Sequence, residues 1–377
     1  MKEIVSKLNQ MGQSIWYDNI ERKLLDDGTL AGMIQQGEIR GITSNPSIFN
    51  KAISQSSEYD QEIQSLTEKG LSKKDIYENL AVRDIQAAAD LFRSLYDETQ
   101  GADGYVSLEV SPYLAHQTDE TIAEAKKLWQ LVDRPNLMVK IPATVEGLPA
   151  ITETIAAGIN VNVTLIFSLE RYKKVMDAYL AGLEKRAEGG EPIQGIASVA
   201  SFFISRIDSK VDQQLQEIEE NFQSEKQEKF KNLYGKAAIA SGKLAYALYE
   251  EIFGENGIRF GELKKLGAQR QRALWASTST KSPAYPDTMY VDELIGPGTV
   301  NTIPPKTLIA FLDHGTVNLT INQNLDDARR VFTDLKDVGI DLNQVTEDLE
   351  SEGVKSFADA FTSLLDSLQG RMSNLES

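Results

Sequence analysis

Eight short apolar runs, most of them followed by a stretch of helical periodicity, constrain this chain more than any other feature. They lie at residues 14–18, 40–45, 104–110, 137–141, 158–167, 195–203, 272–277 and 299–303. Between runs the apolar residues fall three and four apart. In 72–100, Leu80, Val82, Ile85, Ala88, Leu91, Phe92 and Leu95 form one stripe behind a capping-box-like Ser72-x-x-Asp75. Such alternation predicts a parallel sheet, because a parallel strand needs a crossover, usually helical, before the next can pair with it. Eight units predict a closed (β/α)8 TIM barrel, with a doubly wound open sheet as second choice. No low-complexity linker and no repeat of 20–50 residues interrupts the pattern. The chain therefore reads as one barrel domain over residues 1–377, with helical insertions near 50–100 and 208–254 and a helical C-terminal segment at 321–377 that is polar apart from Leu364 and its neighbours. Further helices are expected at 1–11, 24–36, 118–131, 147–157 and 169–185, and two long charged ones within 208–254.

The fourth run raises the chemical question. Residues 136–147 read NLMVKIPATVEG, placing Lys140 inside an apolar strand candidate that Pro142 stops. A buried ammonium costs several kcal/mol unless it is paired. Either Lys140 extends its stem to water or pairs with a carboxylate, or it is an amine held dry enough to attack a carbonyl and form a Schiff base.

Composition removes the rival chemistries. There is no cysteine, which excludes disulfides, thiolate metal sites and cysteine nucleophiles. His116 and His314 are the only histidines, too few for a three-histidine metal site. A metal bound by carboxylates stays open on composition, though none is expected; no GxGxxG follows a strand and no GxxxxGK occurs, so no nucleotide cofactor is expected either. The net charge of -17 argues against a nucleic-acid surface and reads as a solubility charge. The first 18 residues have no long apolar core and no stretch suits a membrane span, so a cytoplasmic location is expected, as monomer or homodimer.

In a β/α barrel the chemistry gathers at the C-terminal ends of the strands. Those ends carry Asp18, Asn45, Glu109, Lys140, Thr164 and Ser201. Converging on one pocket, the two carboxylates would trade protons with a carbinolamine and an enamine on the lysine. In SFFISRID, Ser201, Phe203 and Arg206 sit where a strand passes into a helix, a place suited to phosphate, unless Arg206 pairs with Asp208 or a surface glutamate. In WASTSTK, Ser277 and Lys281 either complete that phosphate site or form an ordinary hydroxyl-rich loop.

Taken together, these stretches resemble transaldolase. GITSNPSIF at 41–49 is similar to the family's N-terminal signature and residues 137–147 to its active-lysine signature. NVTLIFS at 162–168 and SFFISR at 201–206 resemble its later active-site strands. The resemblance runs from Ser14 to about Pro305, and the chain length and WASTSTK look like the longer bacterial and plant-type branch. It implies a class I aldolase-type barrel that moves a dihydroxyacetone unit between sugar phosphates in the non-oxidative pentose phosphate pathway, through a Schiff base on Lys140. The donor would be sedoheptulose 7-phosphate or fructose 6-phosphate and the acceptor glyceraldehyde 3-phosphate or erythrose 4-phosphate. By the same resemblance, Asp18 takes the proton of the C4 hydroxyl, and Glu109 and Thr164 hold the water that relays protons during imine formation. Asn45 and Asn162 hold the dihydroxyacetone part, Ser201 and Arg206 hold phosphate, and Phe203 keeps water from the enamine. One departure stands out: the shorter branch places a second arginine after the seventh strand, where this chain has only Ser277 and Lys281 to offer. The competing readings are an aldolase that releases dihydroxyacetone and a sugar-phosphate-binding barrel without turnover.

Overall fold

In the computed structural model, which describes residues 2–221 and 230–375, eight parallel strands close into a barrel in sequence order. They are β1 (Gln13–Tyr17), β2 (Gly41–Ile42), β3 (Tyr105–Glu109), β4 (Leu137–Pro142), β5 (Val161–Ile166), β6 (Ser198–Phe203), β7 (Arg272–Ala276) and β8 (Thr299–Ile303). Closure comes from β1 on β8, in register from Gln13 opposite Thr299 to Tyr17 opposite Ile303. Every strand residue is buried except the half-buried Glu109 and Arg272. Burial on both faces is what selects continuous apolar runs over alternating ones.

The barrel interior is partly polar, and many of its polar groups bond one another. Asn162 Nδ2 donates to Ser107 Oγ (3.0 Å), Ser201 Oγ donates to Asn162 Oδ1 (2.7 Å), and Thr278 Oγ1 donates to Asn301 Oδ1 (2.9 Å). Bonding of this kind offsets the cost of burying polar atoms. At the opposite rim, Asp103 gathers Ser14, Trp16, Arg40 and Arg272, a latch on the N-terminal face.

Several elements differ from expectation for local reasons. The strand expected at 40–45 is only Gly41–Ile42, because Asn45 Oδ1 accepts from Ile48 N (3.1 Å) and caps the helix Pro46–Gln55. The helix expected at 24–36 is two, Arg22–Asp26 and Thr29–Gln36, divided at Gly28 (φ +81°). The region 47–100 resolves into Pro46–Gln55, Asp60–Glu68 and Lys73–Glu98, the last capped by Ser72 Oγ accepting from Asp75 N (3.2 Å). Within 208–254 the helices are Ser205–Asn221 and Ala237–Phe253, while 222–229 lie outside the described residues. The C-terminal segment is two helices, Leu325–Asp337 and Leu342–Leu375, and the apolar part of the second reaches beyond Leu364 and its neighbours to bury Leu349, Phe357 and Phe361 as well.

Candidate active site

Lys140 leaves β4 into the C-terminal mouth of the barrel and is only 5% exposed, so its stem does not carry the charge to bulk water. The strand register sets Glu109 beside it on β3 and Asn162 beside it on β5. The ammonium donates to the Ser44 carbonyl (2.9 Å) and lies 3.3 Å from Glu109 Oε2. Both readings of the lysine meet here, since it is paired and also held dry.

Burial pushes the Glu109 carboxyl above its ordinary range, Lys140 pulls it back, and Asp18 adds to the rise. Asp18 follows β1. Its carboxyl is raised by burial against the pull of the Thr43 hydroxyl, Lys140 and Lys281. Thr43 Oγ1 donates to Asp18 Oδ1 (2.6 Å) and also touches Thr302 Oγ1 (2.6 Å). A hydroxyl has one proton to give, so Thr302 must donate to Thr43, and the pair fixes which way Asp18 faces.

On β5 the ladder slips between Val163 and Ile166, and Leu165 takes a left-handed backbone (φ +60°). Such a conformation is costly for a leucine and occurs where the surroundings over-determine it. Thr164, within the slip, lines the cavity, and its buried Oγ1 finds no hydrogen-bond partner in the protein. Glu109 Oε2 is likewise buried without a well-formed hydrogen bond, despite its nearness to the amine. Unmatched buried polar atoms of this kind mark a place for a water or a substrate group.

The cavity, of about 260 Å³, is walled by Asp18, Asn45, Lys140, Thr164, Ser201, Phe203, Arg206, Ser277 and Lys281 among others. Its far side is cationic. Arg206, at the start of the helix Ser205–Asn221, does not pair with Asp208, whose carboxylate accepts from Ala238 N (2.8 Å) and Tyr290 Oη (2.8 Å) instead. The Arg206 guanidinium stacks on Phe203 (5.5 Å), which also meets Phe167 (5.2 Å). Lys281 donates to Ser279 Oγ (2.7 Å), and its pKa is lowered by burial and then by repulsion from Arg206. Neither cation has a carboxylate partner among the ion pairs of the described residues, although the chain carries a net charge of -17. Ser277 holds a left-handed backbone (φ +55°) and meets the Ser205 hydroxyl (2.9 Å), fixing the loop that carries Lys281.

Two of the expected residues do not line this cavity. Glu109 lies on the other side of Lys140, facing a smaller cavity bounded by Tyr77 and Phe361. Asn162 is fully buried, both ends of its amide engaged by Ser107 and Ser201. Asn45 does line the cavity, but its Oδ1 already caps a helix, which leaves the amide nitrogen to donate. Sequence reasoning passed over Thr43, Ser44 and Phe357. Thr43 and Ser44 lay in plain view beside Asn45, whereas Phe357 stands more than 200 positions from Lys140 and gave no signal. Among the described residues no group of three His, Asp or Glu side chains is placed to hold a metal ion, and no helix is long and apolar enough to cross a membrane.

Comparison with known proteins accords with this geometry. The family described as Transaldolase/Fructose-6-phosphate aldolase matches residues 15–368. The transaldolase of Saccharopolyspora erythraea is 49% identical over 366 residues, covering 97% of this chain and 96% of that protein. That of Thermobifida fusca is 49% identical over 363 residues, covering 96% of each. That of Trichodesmium erythraeum is 48% identical over 372 residues, covering 98% and 97%.

Proposed function

The chain belongs to the transaldolase/fructose-6-phosphate aldolase family, and on that premise we propose that it transfers a dihydroxyacetone unit from a ketose phosphate to an aldose phosphate in the non-oxidative pentose phosphate pathway. One observation carries the reading: a nearly dry lysine amine, with Glu109 and Asp18 acting on it, shares a cavity with two cations that form no ion pair with a carboxylate among the described residues. The first group makes and breaks a carbon–carbon bond next to a ketone, and the second holds a phosphate.

The steps follow from the geometry. Lys140 Nζ attacks the C2 carbonyl of the donor to give a carbinolamine. Glu109, 3.3 Å from the amine, takes the proton Lys140 sheds on becoming the nucleophile and returns it to the C2 hydroxyl, which leaves as water. Thr164 Oγ1, unpartnered in the protein, holds that water between transfers. With the imine formed, Asp18 takes the proton of the C4 hydroxyl. The C3–C4 bond breaks, an aldehyde departs, and the electron pair rests in the enamine on Lys140. Asp18 is a stronger base than an exposed aspartate because burial raises its pKa, and Thr43 keeps it aimed. The acceptor aldehyde then enters, the steps reverse, and the new ketose leaves. Arg206 and Lys281 bind the phosphate at the far end, with Ser277 adding a hydroxyl, while Ser201 lines the cavity with its proton given to Asn162. Asn45 donates its amide to the dihydroxyacetone part, and Asn162, braced by Ser107, holds Ser201 in position. Sedoheptulose 7-phosphate with glyceraldehyde 3-phosphate, and fructose 6-phosphate with erythrose 4-phosphate, are the donor and acceptor pairs.

The same machinery without an acceptor would act as an aldolase, releasing dihydroxyacetone. The aromatic wall of Phe203 and Phe167 favours transfer, because water is needed to discharge the enamine and an apolar wall withholds it. The deciding experiment supplies fructose 6-phosphate with and without erythrose 4-phosphate. Formation of glyceraldehyde 3-phosphate that depends on the acceptor, with little free dihydroxyacetone, is expected. Equal turnover without acceptor would make the protein an aldolase.

A further inference from the structure

The helix Leu342–Leu375 has no part in the reaction as described, yet it is built into the mouth of the barrel. Its buried residues Leu349, Gly353, Phe357, Phe361, Leu364 and Leu368 follow one another at three- and four-residue spacing, a single apolar stripe. Both parts of the helix are tied down. Arg371 bonds the carbonyls of Ile53 and Ser56 and the Asp60 carboxylate. Towards the other end, Glu350 pairs with Arg171 (3.2 Å) and Glu352 with Lys210. The span between crosses the C-terminal ends of the strands, from the helix Pro46–Gln55 to the helix Ser205–Asn221.

One side chain of this span enters the site. Phe357 lines the same cavity as Asp18 and Arg206, and its ring centroid lies 5.8 Å from Lys140 Nζ. Two features let it come so close. Gly353, one turn earlier, has no side chain, and a Cβ there would sit 3.0 Å from Leu165 Cδ2 and 3.5 Å from the Phe167 ring. Leu165 is the residue held in the left-handed conformation at the slip of β5. The strained turn and the missing side chain meet at one contact, and that contact sets the depth of Phe357.

We propose that Phe357 is the roof of the active site, a positioning residue that packs over the dihydroxyacetone carbons once they are bound to Lys140 and bars water from the enamine. The proposal rests on the transfer reading given above. Discharge of the enamine consumes one water: one of its protons goes to the enamine carbon, its hydroxyl adds to the carbon bearing nitrogen, and its second proton follows to nitrogen as the C–N bond breaks. Free amine and dihydroxyacetone result. An apolar ring over the enamine carbon keeps water from protonating it, while the transfer path keeps the one water it needs, that held at Thr164 for hydrolysis of the product imine, and takes its aldehyde from the cationic side.

The test is the ratio of dihydroxyacetone released to dihydroxyacetone transferred, measured with fructose 6-phosphate and erythrose 4-phosphate. Both rates come from the same active molecules, so partial unfolding scales them together and leaves the ratio unmoved. Phe357→Ala is expected to raise the ratio about fivefold or more, and Phe357→Leu, which keeps an apolar roof, to stay within about twofold. Gly353→Val, which presses on Leu165 and lifts the helix with Phe357 intact, shifts the ratio in the same direction as Phe357→Ala. If the Phe357→Ala protein does not accumulate, Phe357→Val is read in its place. An unchanged ratio in Phe357→Ala, or in Phe357→Val where that is the variant read, overturns the proposal, provided borohydride still traps substrate on Lys140. Absence of trapping in the unsubstituted protein would overturn the transfer reading instead.

Discussion

Replacing Arg206 with methionine should cripple the use of phosphorylated donors and cost the fold almost nothing. The side chain is half-buried, and burial holds its pKa below that of an ordinary arginine, with only distant Glu352 opposing. A phosphate would accept two or more charge-assisted hydrogen bonds from the guanidinium, each worth about 1.5–3 kcal/mol. Allowing for the water that replaces arginine in the variant, we take the loss as about 3–4 kcal/mol, or roughly 10²–10³-fold in kcat/KM for fructose 6-phosphate. Fructose has no phosphate, so with it as donor the variant and the unsubstituted protein should turn over at comparable, slow rates. Stability should move the other way or hardly at all. The variant loses the stacking on Phe203, worth about 0.5–1 kcal/mol, but methionine still packs on that ring and a partly desolvated cation is gone. Thermal unfolding without ligand should therefore match or exceed that of the unsubstituted protein, as when strained function is removed. A fall in kcat/KM of less than about fivefold, or an equal loss with fructose, would refute Arg206 as the phosphate anchor.

Other outcomes follow from the same geometry. Lys281→Ala should raise KM for fructose 6-phosphate by about tenfold with a smaller change in kcat, since a lysine binds phosphate as a point charge; an unaffected KM would remove it from the site. Phe203→Tyr places a hydroxyl in the apolar wall and should increase free dihydroxyacetone relative to transfer, and an unchanged partition would count against that wall. Asp208 is pushed up to about 7 by burial, from 3.8 in a free side chain. Its carboxyl binds a proton more tightly folded than unfolded, so the stability it contributes is present below about pH 4 and is lost as the pH rises to about 7. Denaturant titrations of the unsubstituted protein should show that decline between about pH 4 and about pH 7, and Asp208→Asn should flatten it; parallel pH profiles would contradict the assignment.

The barrel was legible because burial on both faces of each strand leaves a mark in sequence, a short apolar run between helical stretches. The strand ends were legible for a related reason: a polar residue closing an apolar run stands out, as Asp18, Glu109 and Lys140 do. What escaped was whatever depends on contacts between distant segments. Asn45 reads as a strand-end ligand, but nothing in its own neighbourhood says that half its amide is spent capping the next helix. Arg206 stands two residues from Asp208, and only the packed helices reveal that Tyr290 and Ala238 claim that carboxylate. The slip at Leu165 and the close approach of Gly353 to it join residues almost 200 positions apart, and the polar look of residues 321–377 left only Leu364 and its neighbours showing of the longer apolar stripe, because a helix averages its two faces in any local window.

The central claim is that Lys140 forms the bond to substrate. Borohydride added with fructose 6-phosphate reduces an imine to a stable secondary amine, which mass spectrometry of the digested protein locates. We expect one adduct per active chain, on Lys140, with irreversible loss of activity, and none in Lys140→Arg. Full activity after this treatment, or an adduct on any other lysine in place of Lys140, would contradict the account.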